Sequence, residues 1–254
     1  MLDKAQINKY YEDGFVIPDF QMPEKDLLAI EKLHKNLIKE FPKFVNYCPA
    51  ILQYDKNFLK FCLNKNILDM VGQLIGNNFA LWNSSFFAKP AHNGHATPWH
   101  QDGQYWPIRP LATCTVWLAI DDANEENGCL KFIKGSHKEK ILKKHEINEN
   151  KNLTLHQELL KSEYNESKSV NLILNRGQIS LHDVYLIHGS EANNSPDPRK
   201  GMTMRFMPTS SIFDHNLAKE KYNNLNVSTF SKRKIYLVRG KDISKKNKLD
   251  LPEF

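Results

Sequence analysis

The chain is 254 residues long, 41% hydrophobic and 25% charged, the balance of a globular protein with enough apolar residue to build a full core. Its formal charge of +6 comes largely from lysines in segments 131–144 and 231–248, which read as solvated surface; no basic stripe interleaved with aromatics suggests a nucleic-acid partner. No run of about 18 apolar residues exists, the start Met1-Leu-Asp-Lys lacks a signal-peptide layout, and the four cysteines show no C-x-x-C spacing, so we expect a cytoplasmic protein with reduced thiols and no membrane contact.

A short helix is predicted over 3–12, then a turn at Gly14 into a first strand. Pro23-Glu-Lys-Asp opens a longer helix with an acidic first turn, and Leu27, Ile30, Leu33, Leu37, Ile38 and Phe41 form its core-facing side before Pro42 ends it. Two more helical stretches are expected near 55–63 and 66–75, the second closed by Gly76.

From Phe79 the spacing changes to that of strands separated by turn residues: 79–89, a short one around His100, 113–121 and 129–133. Residues 138–166 are polar, rich in lysine and glutamate, and read as a surface excursion, helical at best. Strands resume at 170–174 and 179–181 and reach His188; 189–200 reads as loop and 201–207 as strand, with Pro208 at its end. The tail has one apolar run, 235–238, and then frays towards Phe254. The expected fold class is α+β, mainly β, in one domain: a helical part over about 1–78, a sandwich or squashed-barrel core over about 79–209, and a tail from 210 to 254.

The chemistry concentrates at Thr97-Pro-Trp-His100-Gln-Asp102 and at Leu186-Ile-His188-Gly-Ser190. If 97–102 is extended, the period of two puts His100 and Asp102 on one face with Gln101 turned away. A third ligand from His188 on a neighbouring strand completes two histidines and a carboxylate, a set that holds non-haem Fe(II) and leaves coordination positions open for oxygen chemistry. With ten histidines and fourteen aspartates an H-x-D by itself is a weak signal, and its strand context is what strengthens it. An oxygenase that takes 2-oxoglutarate also needs a cation for the distal carboxylate, and Arg199 and Arg205 are the candidates. His182 and Asp183 cannot both enter the site, being adjacent on a strand, and His92, His95 and His137 read as surface loop residues.

Lys89-Pro, Trp99-His-Gln-Asp-Gly-Gln-Tyr-Trp-Pro-Ile-Arg-Pro110, Asn127-Gly-Cys-Leu, Lys134-Gly-Ser-His-Lys138 and His188-Gly-Ser-Glu-Ala-Asn-Asn-Ser-Pro-Asp-Pro-Arg199 resemble the phytanoyl-CoA dioxygenase family of Fe(II)/2-oxoglutarate oxygenases, in order from about residue 10 to 209. The resemblance implies a double-stranded β-helix (a cupin-like jelly roll) flanked by N-terminal helices, with His100, Asp102 and His188 as iron ligands. It ranks Arg199 over Arg205 for the cosubstrate carboxylate, adds Ser190 as its support, and matches Trp117 and Ser85 to aromatic and polar positions of the cosubstrate pocket. Asn83 and Thr115 join them by strand alternation, and Tyr105, Trp106 and Arg109 are candidates for the substrate side, Arg109 as an anion anchor.

The activity so implied is oxidative decarboxylation of 2-oxoglutarate by O2, giving succinate and CO2, with hydroxylation of an aliphatic C–H in a small polar or anionic metabolite. An acyl-CoA ester as substrate, or a non-catalytic cupin-like metal-binding module, is the alternative; a module of that kind has no need of Arg199 and Ser190. Asp102 argues against halogenation, which needs a small residue there to admit halide.

Overall fold

Asp3 sets the start of the first helix. In the computed structural model, which describes residues 1–104, 106–222, 230 and 233–253, its carboxylate accepts from the Gln6 amide and the Gln6 side chain accepts from the Asp3 amide. This capping box precedes α1 (Lys4–Asp13), and Gly14, at φ 88°, ends the helix in the left-handed conformation that glycine tolerates. The chain turns there into β1 (Phe15–Val16).

Helix α2 (Glu24–Glu40) follows Pro23 and carries Glu24 and Asp26 in its first turn, where the helix dipole favours them. It buries Leu27, Ile30 and Leu37 as expected, with Leu33, Ile38 and Phe41 at the margin, and it also buries His34. The His34 ring stacks on Phe86 at 4.0 Å and 18°, and its Nε2 has no hydrogen-bond partner. Burial, and then the charge of Lys200, push its pKa from 6.5 down to about 4. The folded protein thus refuses a proton that the unfolded chain takes up near 6.5, so stability falls as the pH drops from about 6.5 to about 4. Denaturant unfolding at both ends of that window should show the wild type losing up to about 3 kcal/mol more than His34→Leu; equal losses would show that His34 is not the group responsible.

After β2 (Tyr47–Cys48) come the short helices α3 (Ile51–Tyr54) and α4 (Leu59–Cys62), then α5 (Lys65–Ile75), capped by the Asn64 side chain. The strands that follow are β3 (Phe79–Lys89), β4 (Thr97–His100), β5 (Ile108–Arg109), β6 (Cys114–Ala119) and β7 (Leu130–Ile133). Then come β8 (His145–Ile147), β9 (Gln157–Leu159), β10 (Ser169–Leu172), β11 (Ile179–Asp183), β12 (His188–Ser190), β13 (Arg199–Pro208) and β14 (Ile212–Phe213). Helix α6 (His215–Tyr222) and β15 (Tyr236–Arg239) complete the described elements.

Among the described residues a seven-stranded sheet runs β1-β11-β6-β13-β3-β15, with β2 also on β3, and a four-stranded sheet runs β10-β7-β12-β4, all antiparallel. Phe15, Trp117, Leu130, Phe132 and Leu172 pack together between the two, giving the double-stranded β-helix that the sequence suggested. The large sheet is buried on both faces but sorted by alternation. Val116, Leu118, Met202, Met204 and Phe206 pack with the residues of α2 and α5, while Thr115, Trp117, Thr203 and Arg205 point inward. The register aligns His182, Thr115, Arg205 and Asn83 in one row across this face, with Ser180, Trp117, Thr203 and Ser85 in the next. A buried sheet face this polar needs partners, and the site supplies the reason for it.

Three expectations are corrected. Residues 138–166 hold no α-helix: β8 and β9 form a hairpin, anchored by Leu159, which is fully buried beside Trp99 and Ile187. Arg199 is the first residue of β13, not part of a loop. The tail adds β15 to the edge of β3, and Asp250 closes back on it through its backbone bonds to Ile235 and Leu237, so this stretch does not fray.

Candidate metal centre and its pocket

His100 ends β4 and His188 begins β12, and the two are directly opposite one another across the antiparallel pair, ring centroids 4.1 Å apart. Asp102 does not continue the strand. It opens a one-turn 3₁₀ helix, and that turn, not strand alternation, brings its carboxylate within 3.7 Å of His100 Nε2. One ligand atom from each of the three buried residues lies within 4.8 Å of the others, the one such group among the described residues.

Both imidazoles are oriented by the backbone. Nδ1 of His100 lies 2.8 Å from the Pro98 carbonyl and Nδ1 of His188 lies 2.9 Å from that of Leu186. A carbonyl only accepts, so each Nδ1 carries the proton and each Nε2 lone pair is left for the centre. Burial, then the neighbouring His100, hold the His188 pKa well below its ordinary value, so the ring is neutral. Burial alone would raise Asp102, but Arg205 first and then His100 and His182 outweigh it, and the carboxylate stays ionised well below its usual range. Two imidazoles with Nδ1 held by backbone carbonyls, and an ionised carboxylate, fit a divalent cation of the Fe(II) type.

Gln101 turns away, as alternation requires, and is fully buried. Its Nε2 donates to the carbonyls of Tyr185 (2.7 Å) and Ile141 (3.1 Å), its Oε1 accepts from the Lys143 amide (2.8 Å), and its own amide donates to His145 Nε2 (3.1 Å).

Arg199 lines the same pocket as the three ligands, at 1% exposure. Nη2 and Nε donate to the Gly128 carbonyl at 2.9 and 3.2 Å, Nη1 to that of Phe87 at 3.3 Å, and Nη2 reaches Ser190 Oγ at 3.5 Å. Burial lowers its pKa to about 10, which leaves it charged at neutral pH. Its guanidinium lies 5.5 Å from the Trp117 ring centre, and that ring is wedged against Gly201, where any Cβ would overlap it.

Arg205 reaches the centre from the same strand: Nη2 is 3.8 Å from Asp102 Oδ1, and Nη1 donates to Ser85 Oγ (2.6 Å) and Thr203 Oγ1 (3.0 Å). Ser85 and Asn83 therefore stand beside Arg205, away from Arg199, and Asn83 Nδ2 donates to both Ser85 Oγ and the Pro49 carbonyl at 3.1 Å. Thr115 Oγ1 reaches Asp102 Oδ2 at 3.5 Å. Trp106 is buried against Trp82 with the Arg205 guanidinium 5.2 Å from its ring centre. Tyr105 lies outside the described residues. Arg109 is exposed and bonded to the carbonyls of Trp106 and Ile108, outside the pocket, because β5 pairs with β14 away from the jelly-roll sheets.

The residue-by-residue reading missed His182. It is buried, with Nε2 3.7 Å from Asp102 Oδ2, while Asp183 caps the turn by accepting from the Tyr185 amide at 2.8 Å. Excluding the pair left its one inward member unconsidered; alternation with Ser180 was the available signal. His137 is not a surface residue either: it is buried, with Nε2 3.1 Å from the Tyr11 carbonyl. All four cysteines are buried and free.

Comparison with known proteins agrees with this geometry. The family profile described as phytanoyl-CoA dioxygenase (PhyH) matches residues 10–201. A phytanoyl-CoA dioxygenase domain-containing protein 1 homolog of Dictyostelium discoideum is 31% identical over 160 residues, 62% of this chain and 57% of that protein. The chain thus spans little more than half the length of that relative. Among solved structures, the non-heme monooxygenase ThoJ superposes with a TM-score of 0.73 at 21% identity, covering 98% of this chain and 88% of that one. The non-heme alpha ketoglutarate dependent carbocyclase SnoK, from nogalamycin biosynthesis, gives 0.68 at 19% identity over 84% of this chain and 86% of that one. At such identities these two likenesses speak to the fold. The profile match over most of the chain, on a fold that gathers its histidines and aspartate into one buried group, shows that this chain belongs to the phytanoyl-CoA dioxygenase family.

Proposed function

We propose that this protein is an Fe(II)- and 2-oxoglutarate-dependent oxygenase that hydroxylates an aliphatic C–H of a small polar or anionic metabolite. The observation that carries the reading is the buried group of His100, Asp102 and His188 in one pocket with the buried cation of Arg199. When bound, iron with 2-oxoglutarate and O2 would supply the oxidising power, one oxygen atom leaving in succinate, alongside CO2, and the other entering the product. The chain's own residues bind and orient. His100, Asp102 and His188 would hold the metal on one side only; Arg199, braced by Gly128, would take the distal carboxylate, with Ser190 and Trp117 at its flank. Thr115 and His182 would steady the Asp102 carboxylate.

We read residues 1–254 as a single catalytic unit, its helices, jelly roll and tail together. Four buried thiols favour a reducing, cytoplasmic setting, and no helix among the described residues is long and apolar enough to cross a membrane.

Anaerobic addition of 2-oxoglutarate to the Fe(II)-loaded protein should produce a weak visible charge-transfer band, since keto-acid chelation to ferrous iron gives rise to one. A protein that takes up Fe(II) yet shows no band and releases no succinate in air would instead be a metal-binding module.

A further inference from the structure

The pocket holds a second buried cation that the proposed chemistry does not use. Arg205 is 4% exposed, and its Nη1 is fixed by Thr203 Oγ1 and by Ser85 Oγ. That hydroxyl in turn accepts from Asn83 Nδ2 and donates to the Pro49 carbonyl at 3.0 Å, so it has no capacity left over. The opposite edge of the guanidinium is different. Nε has no hydrogen-bond partner, and the contact of Nη2 with Asp102, at 3.8 Å, is beyond hydrogen-bond length. Nε and Nη2 together are the fork that accepts a carboxylate side-on, and here the fork is buried, unpartnered at Nε and immobilised from behind, on a guanidinium that lines the metal pocket.

Charge counting points the same way. A divalent metal with Arg199 and Arg205 contributes four positive charges; Asp102 and the two carboxylates of 2-oxoglutarate return three. One positive charge then stays uncompensated in a buried pocket, which is costly unless the remaining ligand is an anion.

A separate cleft lies beside Asn83, which is linked to Arg205 through Ser85 Oγ and is not itself part of the metal pocket. The pairing of β13 with β3 skips Trp82, a bulge that re-aims the strand so that neighbouring Trp82 and Asn83 line the same cleft of about 340 Å³. Lys56, Arg233 and Lys234 also line it, and Arg233 Nη2 approaches the Pro49 carbonyl, at 3.4 Å, that already serves Asn83 and Ser85.

Resting on the oxygenase reading above, we propose that Arg205 is the specificity-determining anchor of the primary substrate, and that this substrate presents a carboxylate or phosphonate to the Nε/Nη2 edge. The anchor is thus Arg205 and not the exposed Arg109.

The test titrates butanoate, propylphosphonate and butanamide into wild type, Arg205→Gln and Arg205→Lys, each held anaerobically with Fe(II) and saturating 2-oxoglutarate so that Arg199 stays occupied. The readout is displacement of the visible band, which needs no turnover. Wild type should prefer at least one anion over the amide by tenfold or more, Arg205→Gln should lose the preference while keeping the band, and Arg205→Lys should retain part of it. An unchanged preference in Arg205→Gln, or none in wild type, overturns the proposal. Loss of the band in Arg205→Gln alone would make Arg205 a partner of Asp102 and overturn it as well. Absence of the band in wild type would overturn the oxygenase reading, and this proposal with it.

Discussion

Alanine at His100, Asp102 or His188 should strip the protein of iron, lowering metal affinity by more than about 100-fold, the upper range seen when only an outer partner of a ligand is lost. Asp102 should be the most damaging of the three. Among the described residues it is the anion that faces Arg205 and three histidine rings, so its removal leaves the imidazoles beside a buried guanidinium that repels a cation. His100→Ala and His188→Ala remove one of two opposed rings and leave the other held by its own carbonyl. Metal content after dialysis, measured by mass spectrometry, and succinate release report the two consequences separately. Wild-type iron in all three variants would end the ligand assignment.

The second large effect belongs to Arg199. Arg199→Ala should weaken 2-oxoglutarate binding by about 2–5 kcal/mol, because the distal carboxylate would then be buried without a counter-ion. The variant also strands the carbonyls of Gly128 and Phe87, so its thermal stability should be followed alongside. Arg205→Ala should change cosubstrate affinity far less, since its fixed side is spent on Ser85 and Thr203. Titration of the visible band gives both constants, and a reversed order would move the cosubstrate to the other end of the pocket.

Strand alternation and the family resemblance together carried most of what could be read in advance. Alternation put Asn83 and Thr115 on the inner face, the resemblance supplied Ser85 and Trp117, and the register of β3, β6 and β13 aligns all four there. Alternation cannot say which neighbour an inward residue serves. Ser85 and Asn83 were assigned to the cosubstrate, yet they brace Arg205, because cross-strand register is a property of pairing and not of local sequence. Asp102 reached the centre by a turn the strand argument did not contain, and Arg109 was favoured by nearness in sequence although β14 draws β5 outward. The hairpin of β8 and β9 and the edge strand β15 were masked by lysine-rich composition; one buried Leu159 and the open edge of β3 decide those segments.

Gln101 has a consequence for anyone redesigning this scaffold. The excursion between β7 and β10 resembles a graftable surface insertion, but three of its hydrogen-bonding atoms converge on Gln101, the residue between two proposed ligands: the Ile141 carbonyl, the Lys143 amide and His145 Nε2. Trimming that segment would orphan a buried amide at a cost of roughly 1–3 kcal/mol for each lost partner. The slack would appear between His100 and Asp102, so a loop shortened for convenience would be detuning the metal.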